Sequence, residues 1–263
     1  MPAFISDKYE GLKLRLRFLK YIYWRILNIG YKLGFLSIYE IPIVINNFNR
    51  LSFPLQLIRF LEDCGFANII ILDNNSTYPP LLEFYRNTQH KVIRQSNNVG
   101  YLAFWKSGLY DRHRWNYFVY TDPDVLPVAD CPRNFVEYFK SILDKSYGLD
   151  KVGFGIKIDD LPDSFSLKTK VVNHEKKFWE KEVAPGVYKA QIDTTFALYK
   201  PFSNLKFGET STLAAYRLAF PYVIRHLPWY ADSQNLSEEE IYYLQSSNSS
   251  SGIAKQYKTG DVY

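Results

Sequence analysis

The sequence predicts an α/β fold in which a mostly parallel sheet is flanked by helices. From residue 39 onward, short apolar runs alternate with segments whose apolar residues recur at helical spacing. The lengths of these segments suit right-handed βαβ units, which build parallel sheets. The chain has 263 residues, of which 47% are hydrophobic and 17% aromatic, so it can form a substantial core. This composition excludes a chain that is disordered as a whole.

Four strands and the helices between them are predicted in the first half of the domain. Each strand is a short apolar run, and these runs span residues 41–45, 69–72, 92–93 and 115–120. Ser52 is expected to cap the first helix and Gly65 to end it. Further helices are predicted through residues 82–85 and over residues 100–112.

The second half of the sequence is less regular. Glycines at 153, 155 and 186 are interpreted as marking the boundaries between secondary-structure elements. We predict one helix and then three strands, at residues 134–143, 152–158, 187–192 and 195–199. Residues 232–263 form a C-terminal tail, expected to be partly flexible because residues 245–252 have the Ser- and Asn-rich composition of a linker. The intervening α/β domain is assigned to residues 39–231.

Residues 1–38 form a basic helical extension that differs from the rest. Seven lysines and arginines are interleaved with aromatic and aliphatic side chains. The charges interrupt every window that could supply the roughly 20 apolar residues of a membrane span. A helix of this kind can lie in a membrane interface through residues 1–35. It can equally pack on the domain with its long basic side chains reaching solvent, and both interpretations stay open.

Composition narrows the classes of function and location. Only Cys64 and Cys131 are present, which excludes a disulfide framework and a cysteine-based zinc site. No secretory signal is recognisable, so we expect a cytoplasmic protein, with peripheral attachment to the cytoplasmic membrane face as the alternative. The net charge of +5 favours an anionic partner. Nucleic acid is not the expected partner, because the basic residues form no concentrated patch outside the N-terminal extension.

Polar residues follow each of the first four predicted strands. In a doubly wound parallel sheet, ligands bind outside the carboxyl ends of the strands. These ends are followed by polar groups at residues 46–50, 73–76, 96–100 and 122–124. Each group alone could be a turn. Their coincidence predicts a site for a polar ligand at one edge of the sheet.

The triplet Asp122-Pro123-Asp124 follows the fourth predicted strand. Its carboxylate oxygens suit hard cations such as Mg²⁺ or Mn²⁺. In extended backbone the two carboxylates share a face but stand roughly 6.5–7 Å apart at Cβ, an awkward separation for one ion. We therefore expect Asp124 to bind the metal directly, with Asp122 acting through water or on a ribose. The alternative is a turn or a helix cap.

With these motifs in order, residues 41–125 resemble the nucleotide-binding half of the GT-A (Rossmann-like) glycosyltransferases, and family 2 most. Residues 43–50 are similar to that family's opening strand and Thr-Tyr-Asn-Arg loop, with Asn47 in place of the small hydroxyl residue. Residues 71–76 are similar to the strand whose aspartate recognises the base, and residues 97–101 resemble the Asn-x-Gly segment before the next helix. Asp122-Pro123-Asp124 matches the Asp-x-Asp site.

The resemblance implies a set of site residues. The nucleotide-sugar would contact Asn46, Asn49, Asp73, Asn98 and Asp122. The ion would be held by Asp124 with Asp122, and by His226 as the late histidine ligand often found in this family. Asp193 is the candidate general base near the acceptor, since it follows a predicted strand in an otherwise apolar stretch. For Asp193 and His226 the alternative is a hydrogen-bonded structural residue.

The implied reaction moves a sugar from a nucleoside diphosphate, UDP first, to a hydroxyl group of a glycan or glycolipid, with inversion. Such chemistry belongs to polysaccharide biosynthesis, and a lipid-linked acceptor would give the basic extension a purpose. Two alternatives stay open: a sugar nucleotidyltransferase using the same acidic edge, and a non-catalytic nucleotide-sugar-binding module. The Gly-rich opening loop expected of nucleotidyltransferases is absent from residues 46–50.

Overall fold

The computed structural model describes residues 3–205, 208–209 and 212–247. The chain divides into two compact units, Met1–Glu40 and Ile41–Tyr263. The first unit consists of helix α1, Ala3–Lys32, and a short 3-10 helix, Ile38–Glu40. Gly34 has a φ of +76°, and the chain reverses there through hydrogen bonds from Phe35 and Leu36 N–H to the Gly30 carbonyl. None of the helices in the described part of the chain contains an uncharged apolar stretch of membrane-spanning length.

Ten strands of the described part of the second unit form one sheet. The strands are β1 Ile43–Asn47, β2 Ile69–Asp73, β3 Lys91–Arg94, β4 Phe118–Thr121, β5 Val125–Pro127, β6 Lys151–Ile156, β7 Glu182–Ala184, β8 Val187–Lys189, β9 Ala197–Tyr199 and β10 Ala215–His226. The helices are α2 Ser52–Asp63, α3 Pro79–Asn87, α4 Ala103–Lys106, α5 Leu109–His113, α6 Phe135–Lys145, α7 Lys168–Lys176 and α8 Glu238–Ser246. Short 3-10 helices lie at Gly100–Leu102, Lys177–Trp179 and Leu227–Tyr230.

The sheet is mixed, and its central strands are flanked by helices. Its order is β3-β2-β1-β4-β9-β6-β10-β8-β7, with β5 paired to β10. Strands β3, β2, β1 and β4 are parallel, as predicted. Strand β9 then inserts antiparallel between β4 and β6, and β10 runs parallel to β6 but antiparallel to β5 and β8. The predicted α/β fold is confirmed, with the parallel arrangement confined to the N-terminal half and the β6–β10 pair.

Two predicted helix boundaries are wrong for identifiable reasons. Residues 100–112 do not form one helix, because Gly108 adopts a left-handed φ of +77° between α4 and α5. Ser52 lies inside α2 and its predecessor Leu51 makes no side-chain cap. The N–H groups of Leu51 and Ser52 instead donate to the carboxylate of Glu239 at 2.9 and 3.0 Å. Helix α8 therefore caps α2 from elsewhere in the chain.

The glycines of β6 are central to the strand and do not punctuate it. A Cβ at Gly153 would lie 2.4 Å from the Phe196 carbonyl oxygen. A Cβ at Gly155 would lie 2.2 Å from the Trp179 ring and 2.6 Å from the Leu218 carbonyl oxygen. Both positions need glycine because neighbouring groups approach the backbone closely, which the sequence pattern could not distinguish from a strand end.

The core beneath the site is aromatic. Phe104, Phe118, Tyr120 and Tyr199 are fully buried, and the Phe118 and Tyr199 rings stack with centroids 4.9 Å apart. The strands β1, β2 and β4 are buried along their whole length. Because these strands are rigidly packed, the loops at their carboxyl ends are held in fixed relative positions.

Candidate active site

Asn74 joins the carboxyl end of β1 to the loops that follow β2 and β3. Its Nδ2 donates to Asn46 Oδ1 at 2.7 Å, which links the loop after β2 to the end of β1. The Val99 N–H donates to Asn74 Oδ1 at 3.3 Å, which links the loops after β2 and β3. Asn98 accepts the Gly100 N–H at 2.9 Å, which shapes the third loop from within. The structure thus brings these polar groups to one edge of the sheet, as the sequence predicts.

Asn49 fixes the turn after β1. Its backbone has a left-handed φ of 48°, and its Oδ1 accepts the N–H groups of Thr77 and Tyr78 at 2.6 and 3.0 Å. Its Nδ2 donates to Ser246 Oγ of α8 at 2.9 Å. Asn49 is fully buried, so its polar atoms serve contacts between loops. Direct contact with a nucleotide stays a prediction for Asn46, Asn49 and Asn98.

Asp73, the predicted base-recognition residue, is also fully buried. Arg94 Nε and the Tyr85 hydroxyl each donate to it at 3.1 Å, and the Ser76 N–H donates at 3.1 Å. Burial and the adjacent Asp73 charge raise the pKa of Tyr85 well above its ordinary value. The role visible in the structure is to hold the loop after β2, and recognition of a base by Asp73 stays a prediction.

Asp124 is the residue around which the charged groups gather. It is buried, and its two oxygens face different partners: Arg50 Nε lies 3.5 Å from Oδ2, and His226 Nε2 lies 3.6 Å from Oδ1. Both separations exceed the usual 2.7–3.2 Å of an N–H···O hydrogen bond. Neither Arg50 nor His226 therefore forms a hydrogen bond with the carboxylate, and its oxygen lone pairs on these sides stay free to bind a ligand.

Strand pairing brings His226 to Asp124. Strand β10 pairs antiparallel with β5, in a register that places His226 opposite Val125. The Leu227 N–H then donates to the Asp124 carbonyl oxygen at 2.8 Å. Burial lowers the pKa of His226; the Asp124 charge opposes this shift and the Arg50 charge adds to it. A neutral imidazole keeps one nitrogen lone pair, which is what metal binding requires.

The side chains fit a divalent ion shared by Asp124 and His226. An ion about 2.1–2.4 Å from each ligand can lie between two atoms 3.6 Å apart. His226 Nδ1, the ring nitrogen that does not face Asp124, is buried without a hydrogen-bond partner among the described residues, and an ion at Nε2 would not occupy it. The imidazole nitrogen makes Mg²⁺, which takes oxygen ligands, a poorer match for this pair than a first-row transition-metal ion. Within the part of the chain that the structure describes, no group of three or more His, Cys, Asp or Glu side chains could hold a metal ion.

Asp122 stands apart from that pair, so the three predicted ligands do not form one cluster. Its Oδ2 accepts the Thr194 hydroxyl at 2.8 Å, and its N–H donates to the Thr194 carbonyl oxygen at 3.0 Å. Burial raises the pKa of Asp122, and the charges of Asp124 and Asp193 raise it further, while the Thr194 hydroxyl lowers it. Asp122 therefore interacts electrostatically with Asp124, but its hydrogen bonds go to the loop of residues 191–195.

Asp193 lies in that loop and is exposed. The side chains of its neighbours Ile192 and Thr194 are buried, so the apolar stretch does not enclose Asp193, and its role as a general base stays a prediction. Two buried cations hold the loop by its carbonyl groups. Lys151 Nζ donates to the Ile192 and Asp193 oxygens at 2.5 and 3.1 Å, and Arg217 Nε donates to the Gln191 oxygen at 2.5 Å.

Sequence reasoning missed three of these residues. Arg50 lies within the opening-loop motif, but its burial beside Asp124 could not be inferred from its position in a loop. Lys151 and Arg217 fall in strands, where a single charged residue among apolar ones signals either an exposed edge or a buried partner. Only the fold shows that both side chains donate to carbonyl groups of the 191–193 loop, and that Arg217 also forms a buried ion pair with Glu175 at 2.7 Å.

No protein-family profile and no curated protein matches the chain. Among solved structures it is similar to GalNAc-T7 with UDP, GalNAc and Mn²⁺ (12% identity, TM-score 0.41, 70% of this chain and 43% of that chain). It is also similar to a mycobacterial protein (13%, 0.43, 84% and 76%) and to S. aureus TarS (13%, 0.43, 84% and 42%). The chain thus spans less than half the length of the GalNAc-T7 and TarS chains.

Proposed function

We propose that the protein is a metal-dependent glycosyltransferase of the GT-A type, similar to family 2, that uses a nucleoside-diphosphate sugar. The observation that carries the proposal is Asp124 flanked by His226 and Arg50 at the carboxyl ends of β1 and β4, where ligands of such sheets bind. One carboxylate and one imidazole leave most of the coordination sphere of an ion to a diphosphate and water, as is usual for ions that bind substrate phosphates.

In this proposal the chain's own residues divide the work between donor and acceptor. Asp124 and His226 would hold the ion, and the ion would supply positive charge to offset that of the departing diphosphate. Asp193 is exposed beside Asp122, and from there it takes the proton of an acceptor hydroxyl on a glycan or lipid-linked glycan. Asp122 and Thr194 join the donor edge to the acceptor loop, so they fix the distance between the two substrates. In-line attack by the hydroxyl inverts the anomeric centre.

The direct test is a panel of nucleotide-sugars assayed for release of UDP or GDP, with Mn²⁺ and with EDTA. We expect Mn²⁺-dependent release, reduced at least about 100-fold in kcat/KM by Asp124→Asn. Asp163→Asn is the matched control, since Asp163 is exposed and pairs with Lys168 away from the site. Full activity of Asp124→Asn with Mn²⁺ would refute the metal assignment. Release of pyrophosphate would instead identify a nucleotidyltransferase, and binding without any product a binding module.

Peripheral membrane contact through α1 is the further part of this proposal. Large apolar side chains of α1 are exposed, among them Leu14, Phe18, Leu19 and Ile26. Lysines and arginines lie between them, and such a combination favours an anionic bilayer surface. An enzyme held there would meet lipid-linked acceptors at the cytoplasmic face.

A further inference from the structure

Arg50 is buried in an unusual way for a residue of a ligand-binding edge. Its side chain is 2% exposed, and its Nε and Nη1 atoms have no hydrogen-bond partner in the described part of the chain. The guanidinium lies over the Tyr243 ring at 3.8 Å and the Phe53 ring at 5.0 Å. Buried guanidinium groups are ordinarily paired and hydrogen-bonded, because removing their charge from water is costly. A purely structural Arg50 would not leave two nitrogens unused.

Asp124 does not satisfy Arg50 by itself. At 3.5 Å, the Arg50 Nε and Asp124 Oδ2 atoms attract each other without forming a hydrogen bond. An anion at this place could accept hydrogen bonds from the unused N–H groups of Arg50. The same anion could bind a cation that is held by the Asp124 carboxylate. Phosphate oxygens match the fixed donors of a guanidinium better than any other common anion except carboxylate.

Helix α8 holds Arg50 in this place. Tyr243 supplies the ring beneath the guanidinium, and Glu239 binds the adjoining backbone at Leu51 and Ser52. The Tyr242 hydroxyl is 3.0 Å from Thr77 Oγ1, so α8 also contacts the loop after β2. These contacts fix the segment that carries Arg50, and Tyr243 is therefore a positioning residue.

We propose that Arg50 is a phosphate-binding residue that takes the diphosphate of the nucleotide, and that Tyr243 of α8 positions it. This inference rests on the proposed function and names the part of the ligand that Arg50 contacts. Because Arg50 also repels a cation at Asp124, its removal has opposite consequences for the two ligands. Binding of Mn²⁺ to the free protein should be unchanged or tighter, whereas binding of the nucleotide should be weaker.

The test measures binding by calorimetry with the full chain, using UDP, uridine and Mn²⁺ as probes. Arg50→Met keeps most of the apolar contact with Tyr243 and Phe53 but removes the charge. We expect UDP, measured with Mn²⁺, to bind about 10- to 100-fold more weakly, while uridine, which has no phosphate, binds equally well. Arg59→Met is the matched control, because Arg59 is exposed on the adjoining helix α2, and it should bind UDP like the wild type.

Three further variants test the role of Arg50 if Arg50→Met does not fold. Arg50→Lys retains the charge but not the fork of donors, so it should restore UDP affinity only in part. Tyr243→Leu removes the ring under the guanidinium and should weaken UDP about 3- to 10-fold, whereas Tyr243→Phe should bind UDP normally.

Three results would overturn the inference. UDP affinity that is unaffected in Arg50→Met and in Tyr243→Leu would exclude Arg50 from the phosphate site while leaving the proposed function intact. Equal loss of UDP, uridine and Mn²⁺ binding would show that Arg50 only maintains the fold. A wild-type protein that binds neither UDP nor GDP with Mn²⁺ would remove the proposed function and this inference together.

Discussion

The imidazole Nε2 of His226 lies 3.6 Å from Oδ1 of Asp124, although the two residues belong to opposite halves of the chain. The antiparallel pairing of β5 with β10 creates this relationship, because it sets His226 opposite Val125. A neutral histidine and a carboxylate at this distance can share a divalent ion, so changing either residue should weaken metal binding.

His226→Gln is expected to weaken Mn²⁺ binding at least about tenfold, because the substitution removes one of two protein ligands. Titration of the protein with Mn²⁺, followed by electron paramagnetic resonance of the free ion, measures this change. His90→Gln is the control, since His90 pairs with Glu62 outside the site and should leave Mn²⁺ binding unaltered. Unchanged affinity in His226→Gln would exclude the histidine as a ligand.

The free energy of unfolding should depend on pH because Lys151 has different pKa values in the folded and unfolded states. Burial lowers the pKa of Lys151 to about 7, with the Asp193 charge opposing the shift. In the unfolded chain the amine binds its proton up to about pH 10.4, so between about pH 7 and pH 10 the unfolded state holds more protons. Native stability therefore rises with pH in this window, and the cost of burying Lys151 is largest below about pH 7.

Lys151→Met should remove that dependence. We expect the free energy of unfolding of the wild type, minus that of Lys151→Met, to increase from pH 7 to pH 9 by at most about 1.4 kcal/mol per pH unit. Urea denaturation at each pH measures both. Lys157→Met provides the comparison, because Lys157 forms ion pairs with Asp159 and Asp160 away from the loop. A difference that is flat with pH would contradict the assignment.

Glu239→Gln should lower the free energy of unfolding by about 0.5–2 kcal/mol, the range measured for losing a helix cap. The wild-type carboxylate accepts the N–H groups of Leu51 and Ser52 and the Ser52 hydroxyl, and an amide has only one oxygen for them. Chemical denaturation measures the loss. The same change at the neighbouring exposed Glu238 should have a much smaller effect, and equal effects would argue against capping of α2 by α8.

Gly155→Ala is expected to destabilise the protein by about 1–3 kcal/mol, the usual cost of overpacking a core. The new methyl group would meet Trp179 and the backbone oxygen of Leu218, and the latter cannot move without disturbing β10. Thermal denaturation should show a lower midpoint. Gly148→Ala is the matched control, because none of the described residues would lie within 4 Å of its new methyl group, and its midpoint should stay near that of the wild type.

Membrane contact predicts that α1 variants lose vesicle binding without losing structure. Leu14→Ser with Phe18→Ser removes two exposed apolar side chains from α1 and should reduce co-sedimentation with phosphatidylglycerol vesicles severalfold. Vesicles of phosphatidylcholine should bind the wild type less well, because the basic residues need an anionic surface. Tyr147→Ser alters an exposed aromatic residue of the second unit and serves as the control. The membrane proposal would be refuted if neither the double substitution in α1 nor the change of vesicle lipid altered co-sedimentation.

The sequence predicted the α/β class and the first four strands to within a few residues. Short apolar runs and helical spacing of apolar residues are local features of the sequence. They can be recognised without knowing which other elements each segment packs against. The polar groups after β1, β2 and β3 meet as expected, because parallel strands must place their carboxyl ends at one edge. Helix α8 was not predicted, because the tail is polar in composition. Its capping box, Ser237-x-x-Glu240, is nevertheless a local sequence signal for the start of a helix.

Only the tertiary structure decided how these pieces act together. The antiparallel insertion of β9, the register of β10 against β5 and the docking of α8 on Arg50 all depend on contacts distant in sequence. The same applies to Lys151 and Arg217, whose burial beside the 191–193 loop cannot be read from a strand pattern. The sequence by itself determined which groups reach the edge of the sheet. Long-range pairing decided which charges face Asp124, because side-chain burial and distance are properties of the packed chain alone.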